Sequence, residues 1–142
     1  MQIIIKNLQK KIPLSLKEIK EVVRGVLSYK KALKKSGEIT ILFVDDKQIR
    51  EFNLFYRGED YPTDVLSFDN SLDKKYLCVD IIISTETALR NARIFKVTSA
   101  SELYRYIIHG LLHIFGYNDN DRKSKLCMQK EEDFLLRSLI NP

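Results

Sequence analysis

Histidine is scarce in this sequence: His109 and His113 are the only two in 142 residues. That excludes a metal site built from three imidazoles of one chain. Cysteine is equally scarce. Cys78 and Cys127 stand alone in no ligand spacing, so both read as reduced packing residues rather than as a disulfide or a zinc pair. No apolar run approaches the roughly 20 residues that span a bilayer. No charged-then-apolar leader opens the chain. A soluble, cytoplasmic protein with no membrane partner is expected. Repeats, low-complexity tracts and linkers are absent as well, so residues 1–142 read as a single domain.

What is present points to a folded, basic protein. Hydrophobic residues make up 44%, enough for a core and too many for disorder. Lysine and arginine outnumber aspartate and glutamate 24 to 19, a net charge of +5. Such a balance leans toward a polyanionic partner such as RNA, DNA or a ribosome. Each basic cluster, including Arg122, Lys123 and Lys125, reads first as a solvated helix face.

The hydrophobic pattern sets the element order. MQIIIKNL opens as a strand. LSLKEIKEVVRGVLSYKKALKKSG reads as a helix, with a Ser15–Glu18 capping box, one apolar face (Leu16, Ile19, Val22, Val23, Val26, Leu27) and Gly37 as the stop. EITILFV is a buried strand. Asp45 or Asp46 caps a short helix carrying Ile49, Phe52, Asn53 and Tyr56, which ends at Gly58. After the loop RGEDYPTD come two strands, VLSF and YLCVDIIIS. Ser84 starts a helix through Ala88 and Ala92. A Ser99–Glu102 box opens the helix that carries both histidines. Ser124 to Leu139 closes the chain as a helix with Leu126, Phe134 and Leu135 apolar. The expected architecture is α+β, with about four strands in a mixed sheet and about five helices.

Chemistry concentrates in HGLLHIFGYNDND, His109 to Asp121. Side chains at i and i+4 share a helix face, so His109 and His113 can address one ion. Two readings stay open on spacing alone: a metal pair, or a buried hydrogen-bonded structural pair. The following residues favour the metal. Gly116 can end the helix in a left-handed turn, which folds an Asp/Asn-rich segment back toward the histidines. Candidate third ligands are Asp119, then Asp121, then Asn118. The metalloprotease motif places a glutamate beside its first histidine as base. Here that position is Gly110. A glycine inside a helix costs about 1 kcal/mol against alanine, so close approach of a substrate or a neighbouring segment is expected there.

HGLLHIFGY closely resembles the H-G-x-L-H-L-x-G-Y-D-H signature of the YbeY family of rRNA-processing endoribonucleases. NLFYRGEDYPTDVLSF, Asn53 to Phe68, resembles its N-x-x-Y-R…P-T-D-V-L-S-F block. CVDIIIS, Cys78 to Ser84, is similar to its G-D-I-x-I-S strand. The resemblance implies a zincin-like α+β fold, one bound divalent metal, and cleavage of single-stranded RNA. It also implies a role in 16S rRNA 3′-end maturation and ribosome quality control, with the small subunit and assembly proteins as partners. No nucleotide cofactor is expected. By position, His109 and His113 carry over as ligands, His109 also as a catalytic residue, and Arg57 as the arginine of the Y-R block. A guanidinium fork suits a phosphate, so Arg57 is expected to position it.

Three positions depart from the family pattern. Val79 stands in place of glycine, Asn118 in place of aspartate, and Asp119 in place of the third histidine. Aspartate is an acceptable zinc ligand, but it lowers the site charge from about +2 to about +1. Zinc stays first; iron, manganese and nickel are the alternatives, since a His₂-carboxylate set suits iron and manganese better than three histidines do. Asp64, Ser67 and Asp80 read as bracing groups at strand ends. Tyr56, Phe68 and Tyr117 read as core, with stacking on an RNA base as the other use. Two competing readings are a ribosome-assembly RNA-binding factor with weak or no catalysis and, against Gly110, a metalloprotease of related fold.

Overall fold

The computed structural model describes residues 1–140. Its elements run β1 (Gln2–Asn7), α1 (Leu16–Tyr29), β2 (Ser36–Val44), α2 (Asp46–Arg57), β3 (Val65–Asp69), β4 (Tyr76–Ser84), α3 (Thr85–Phe95), α4 (Ser99–Ile114) and α5 (Arg122–Ile140). The sheet order is β1-β2-β4-β3. The first three strands are parallel and β3 is the antiparallel edge. This is the four-stranded mixed sheet with five helices that the pattern predicts.

β2 and β4 are nearly continuous in apolar residues because both their faces are covered. Ile39, Ile41 and Phe43 of β2 and Val79, Ile81 and Ile83 of β4 join one cluster with α1 and α4. Ile82, Val44 and Leu66 point to the other face, where Ile49 of α2 covers them. The period-two alternation of strand side chains thus splits one sheet into two apolar layers. α4 is the central helix: Leu103, Ile107, Ile108, Leu111 and Leu112 are all buried. No helix among the described residues is long and apolar enough to cross a membrane.

Several local expectations are corrected. α1 ends at Tyr29, eight residues before Gly37, and Lys31 takes the left-handed conformation at φ 58°. Gly37 lies in β2 opposite Leu77, where a Cβ would sit 2.0 Å from the Leu77 carbonyl oxygen. Its role is close strand approach, not helix termination. Leu16 is exposed, leaving the other five named positions as the buried face of α1. Ser15 does cap α1, accepting from the Glu18 N–H, but the Glu18 carboxylate accepts from the Tyr104 hydroxyl instead of closing a box. The cap of α4 is Thr98, one residue before Ser99; it accepts from Ser101 N–H, and Glu102 is buried. The reciprocal box is at α2, between Asp45 and Gln48. Of the three apolar positions named on α5, only Leu135 is buried; Leu126 and Phe134 are exposed. Val79 leaves β4 unbroken.

Candidate metal centre

α4 lies along β3 and β4 and carries both histidines toward its C-terminal end. The close approach is made at Gly110. A Cβ there would lie 2.9 Å from Ser67 Oγ and 3.1 Å from an Ile81 methyl. Ser67 Oγ donates to the Gly110 carbonyl at 3.3 Å, tying the helix to β3. The neighbouring segment, rather than a substrate, therefore explains the glycine. It also leaves no room for a glutamate base at that position.

The helix ends in a Schellman motif. Gly116, at φ 98°, sends its N–H to the His113 carbonyl, and Tyr117 N–H reaches the Leu112 carbonyl. The reversed chain brings Asp119 back over the helix. One ligand atom each from His109, His113 and Asp119 falls within 4.8 Å of the others. The two Nε2 atoms face each other at 3.1 Å. Asp121 is elsewhere: its carboxylate accepts from Ser124 N–H at 2.7 Å and caps α5, which holds its pKa below the ordinary carboxylate range. Asn118 Oδ1 accepts from Asn120 N–H within the turn. Of the three candidate third ligands, the fold gathers Asp119.

Glu132, which the sequence did not mark, completes the arrangement. It lies on α5, is 5% exposed, and its carboxylate accepts from His109 Nδ1 at 2.9 Å. A proton on Nδ1, facing that carboxylate, leaves the Nε2 lone pair on the side of His113 to meet an ion. Burial disfavours a charged His109, but Glu132, with Asp64 and Asp119 beyond it, outweighs burial and raises the pKa above its ordinary value. His113 shifts the other way, lowered by burial and by the charge on His109. The turn itself is held from the far side. Lys30 Nζ donates to Tyr117 Oη at 2.6 Å and to Glu131 at 3.3 Å, and its charge lies 4.3 Å from the Tyr117 ring centroid. Tyr117 is half-buried against the core as expected.

Two clefts meet at His109. One, of about 570 Å³, is lined by Arg57, Asp64, Ser67, Phe68, His113 and Asp119 among others. It places Arg57, from the last turn of α2, on the same cleft as the histidines. The other, of about 630 Å³, includes Asp64, Glu102, Arg105, Lys125, Glu132 and Asp133. Arg105 is already paired with Asp133 at 2.8 Å. These linings are acidic in a chain of net charge +5, a carboxylate-rich surround that suits a cation. Asp64 and Asp80 do brace the backbone and loop: Asp64 accepts from Val65 N–H, and Asp80 accepts from Asn70 Nδ2. Tyr56 departs from its expected burial and is 57% exposed.

The fold and site define a class: an α+β protein whose central helix offers a His-x-x-x-His pair, completed by a carboxylate after a glycine bend. The comparisons make the identification specific. The family model for endoribonuclease YbeY matches residues 4–140. The chain is 42% identical over 143 aligned residues to the endoribonuclease YbeY of Syntrophus aciditrophicus, covering 95% of this chain and 88% of that one. It is 38% identical to that of Petrotoga mobilis, covering 99% and 96%. The solution structure of TM1509 from Thermotoga maritima superposes with a TM-score of 0.68 at 25% identity, over 97% of this chain and 89% of that one. The chain belongs to the YbeY endoribonuclease family, whose members are hydrolases acting on RNA.

Proposed function

We propose that this chain, acting as one domain in the cytoplasm, is a metal-dependent endoribonuclease selective for single strands. Its role is 16S rRNA 3′-end maturation and ribosome quality control, at the small subunit and among its assembly proteins. His109, His113 and Asp119 hold one divalent cation, zinc before iron, manganese or nickel. The observation that carries this reading is the convergence of those three side chains, with the Nδ1 of His109 set against the buried Glu132 carboxylate. Three protein ligands with one position left open is the pattern of a catalytic rather than a structural site.

A bound divalent ion supplies electrostatic stabilisation for the charge that builds on a phosphorane. The chain's own residues do the rest. Arg57 forks onto two non-bridging oxygens and orients the scissile phosphate at the cleft mouth. Glu132 holds the His109 Nδ1 proton and keeps the ring in one tautomer. Asp64 and Ser67 hold the β3 edge that walls the cleft. The acidic linings weigh against a metal-free RNA-binding factor, because uncompensated carboxylates repel phosphates. The filled space at Gly110 weighs against a metalloprotease.

The test is metal content by elemental mass spectrometry on tag-free protein beside Asp119→Ala, followed by cleavage of single-stranded RNA with and without a chelator. Near-stoichiometric metal in the wild type, lost in the variant, with chelator-sensitive cleavage, is the expected result. Wild-type protein that takes up no zinc, manganese or iron overturns the reading.

A further inference from the structure

The end of α2 carries aromatic surface that the candidate metal centre does not use. Phe55 is 80% exposed and Tyr56 57% exposed, although rings of this size are ordinarily buried. They are not scattered. Tyr56 stacks on Phe52 at 6.3 Å between centroids and 9° between planes. Phe55 meets the Tyr56 ring edge-on at 4.8 Å, and Phe68 lies 4.9 Å from it on the sheet side. Phe68 also lines the cleft shared by His109, His113 and Arg57. The ring cluster therefore runs without a break from open surface to the wall of the candidate site. Arg57 follows Tyr56 directly in the chain.

We propose that Tyr56, flanked by Phe55 and backed by Phe52 and Phe68, is a stacking platform for an unpaired nucleobase next to the phosphate that Arg57 holds. This rests on the RNA-cleavage reading above and deepens it. Arg57 is the only lysine or arginine lining that cleft among the described residues, so a phosphate at its guanidinium puts the adjoining base beside these rings. Every base presents a π-face, so stacking needs no particular sequence. A base inside a duplex already has both faces covered. The platform thus rewards a single strand and gives a helical one nothing.

The test uses zinc-loaded full-length protein and a single-stranded RNA carrying 2-aminopurine. Stopped-flow mixing reads the fluorescence quench that stacking produces before cleavage, and steady-state kinetics follow. Tyr56→Ala should lose the quench and raise KM by about five- to 150-fold, the range of losing one base–aromatic contact, with kcat little changed. Phe55→Ala, which removes a ring that is mostly in solvent, should show a smaller rise and guards against a folding defect in the first variant. Tyr56→Trp should restore both readouts. If the wild type cleaves and both alanine variants quench and cleave like it, the platform is overturned and the patch belongs to a protein contact instead. Wild type that neither binds nor cleaves single-stranded RNA when loaded with metal overturns the parent reading, and this one with it.

Discussion

Glu132→Ala removes a carboxylate that touches no substrate yet sets the chemistry of His109. The Glu132 side chain is buried and sits 2.9 Å from Nδ1. Without it, the ring has no protein acceptor fixing its tautomer, and the proton can move to Nε2, the atom proposed to bind the ion. Loss of such an outer carboxylate costs about 10- to 100-fold in metal affinity, or about 1.4–2.8 kcal/mol at 1.4 kcal/mol per factor of ten. Glu132→Gln retains an oxygen acceptor but no charge, so it should lose less than about tenfold by the same measure. The assay is competition for zinc against a chromophoric chelator, using apo protein whose fold is verified by circular dichroism. Equal zinc affinities for wild type and Glu132→Ala would refute the reasoning: either His109 is not a ligand or its tautomer is fixed by something else.

Other expectations test separate links. In chelated protein, His109 has a pKa raised above 6.5 and His113 one lowered below it. The His109 contribution is full below 6.5 and fades as pH rises through its folded value; the His113 contribution is full above 6.5 and fades as pH falls through its own. The melting temperature of chelated protein between about pH 5 and 8 should therefore peak in between, with the high-pH arm flattened by Glu132→Gln, and a monotonic profile would contradict this. Gly110→Ala gains about 1 kcal/mol of helix propensity but drives a methyl into Ser67 and Ile81, an overpacking of about 1–3 kcal/mol. Urea titration should show a net loss of up to about 2 kcal/mol, from the difference of those terms; a stabilised variant would mean the helix moves away from the sheet freely. Gly116→Ala forces a side chain onto φ 98°, costing about 1 kcal/mol or more. It should also weaken zinc binding, because Asp119 is delivered by that turn; unchanged affinity would exclude Asp119 as the third ligand.

Much of this was readable because local physics and tertiary context agree. The buried face of α1 follows the helical period, and the buried runs in β2 and β4 follow from a sheet covered on both faces. Gly116 was readable as a helix end because a left-handed residue after an apolar helix has few other uses. Gly37 misled for the same reason: a glycine after a lysine run resembles a stop, and only the strand pairing with Leu77 reveals its purpose. The missed Glu132 sits in the run Lys130, Glu131, Glu132, Asp133. That run has the composition of a solvated helix face. Which of its carboxylates turns inward depends on how α5 docks on α4, and no local pattern encodes that. The placement of Arg57 beside the histidines likewise needed the sheet order, since α2 and α4 are far apart in sequence. Tyr56 shares the apolar residues of α2 and meets Phe68 of β3, yet remains 57% exposed.

The charge distribution links these pieces. A basic chain that bound RNA by electrostatics alone would put its lysines in the cleft. This one lines its two clefts with Asp64, Asp69, Asp119, Glu132 and Asp133; Arg57 is the one lysine or arginine of the Arg57-side cleft among the described residues, and Arg105 and Lys125 line the other. In the metal-free protein burial disfavours a charged His109, but the Glu132, Asp64 and Asp119 carboxylates outweigh it and raise its pKa. A divalent ion held by His109, His113 and Asp119, as proposed, would take the place of a proton on His109 and add more charge than it removed. The same carboxylates that would attract the ion would make the cleft unfavourable to phosphates without it. Asp119 in place of a third histidine would strengthen this dependence, since it adds one more negative charge where the proposed substrate's own charge would be received. On the proposed function, binding of the ion and of the strand would be coupled through the acidic lining, and the platform proposed at Tyr56 would contribute the part of strand affinity that does not depend on charge.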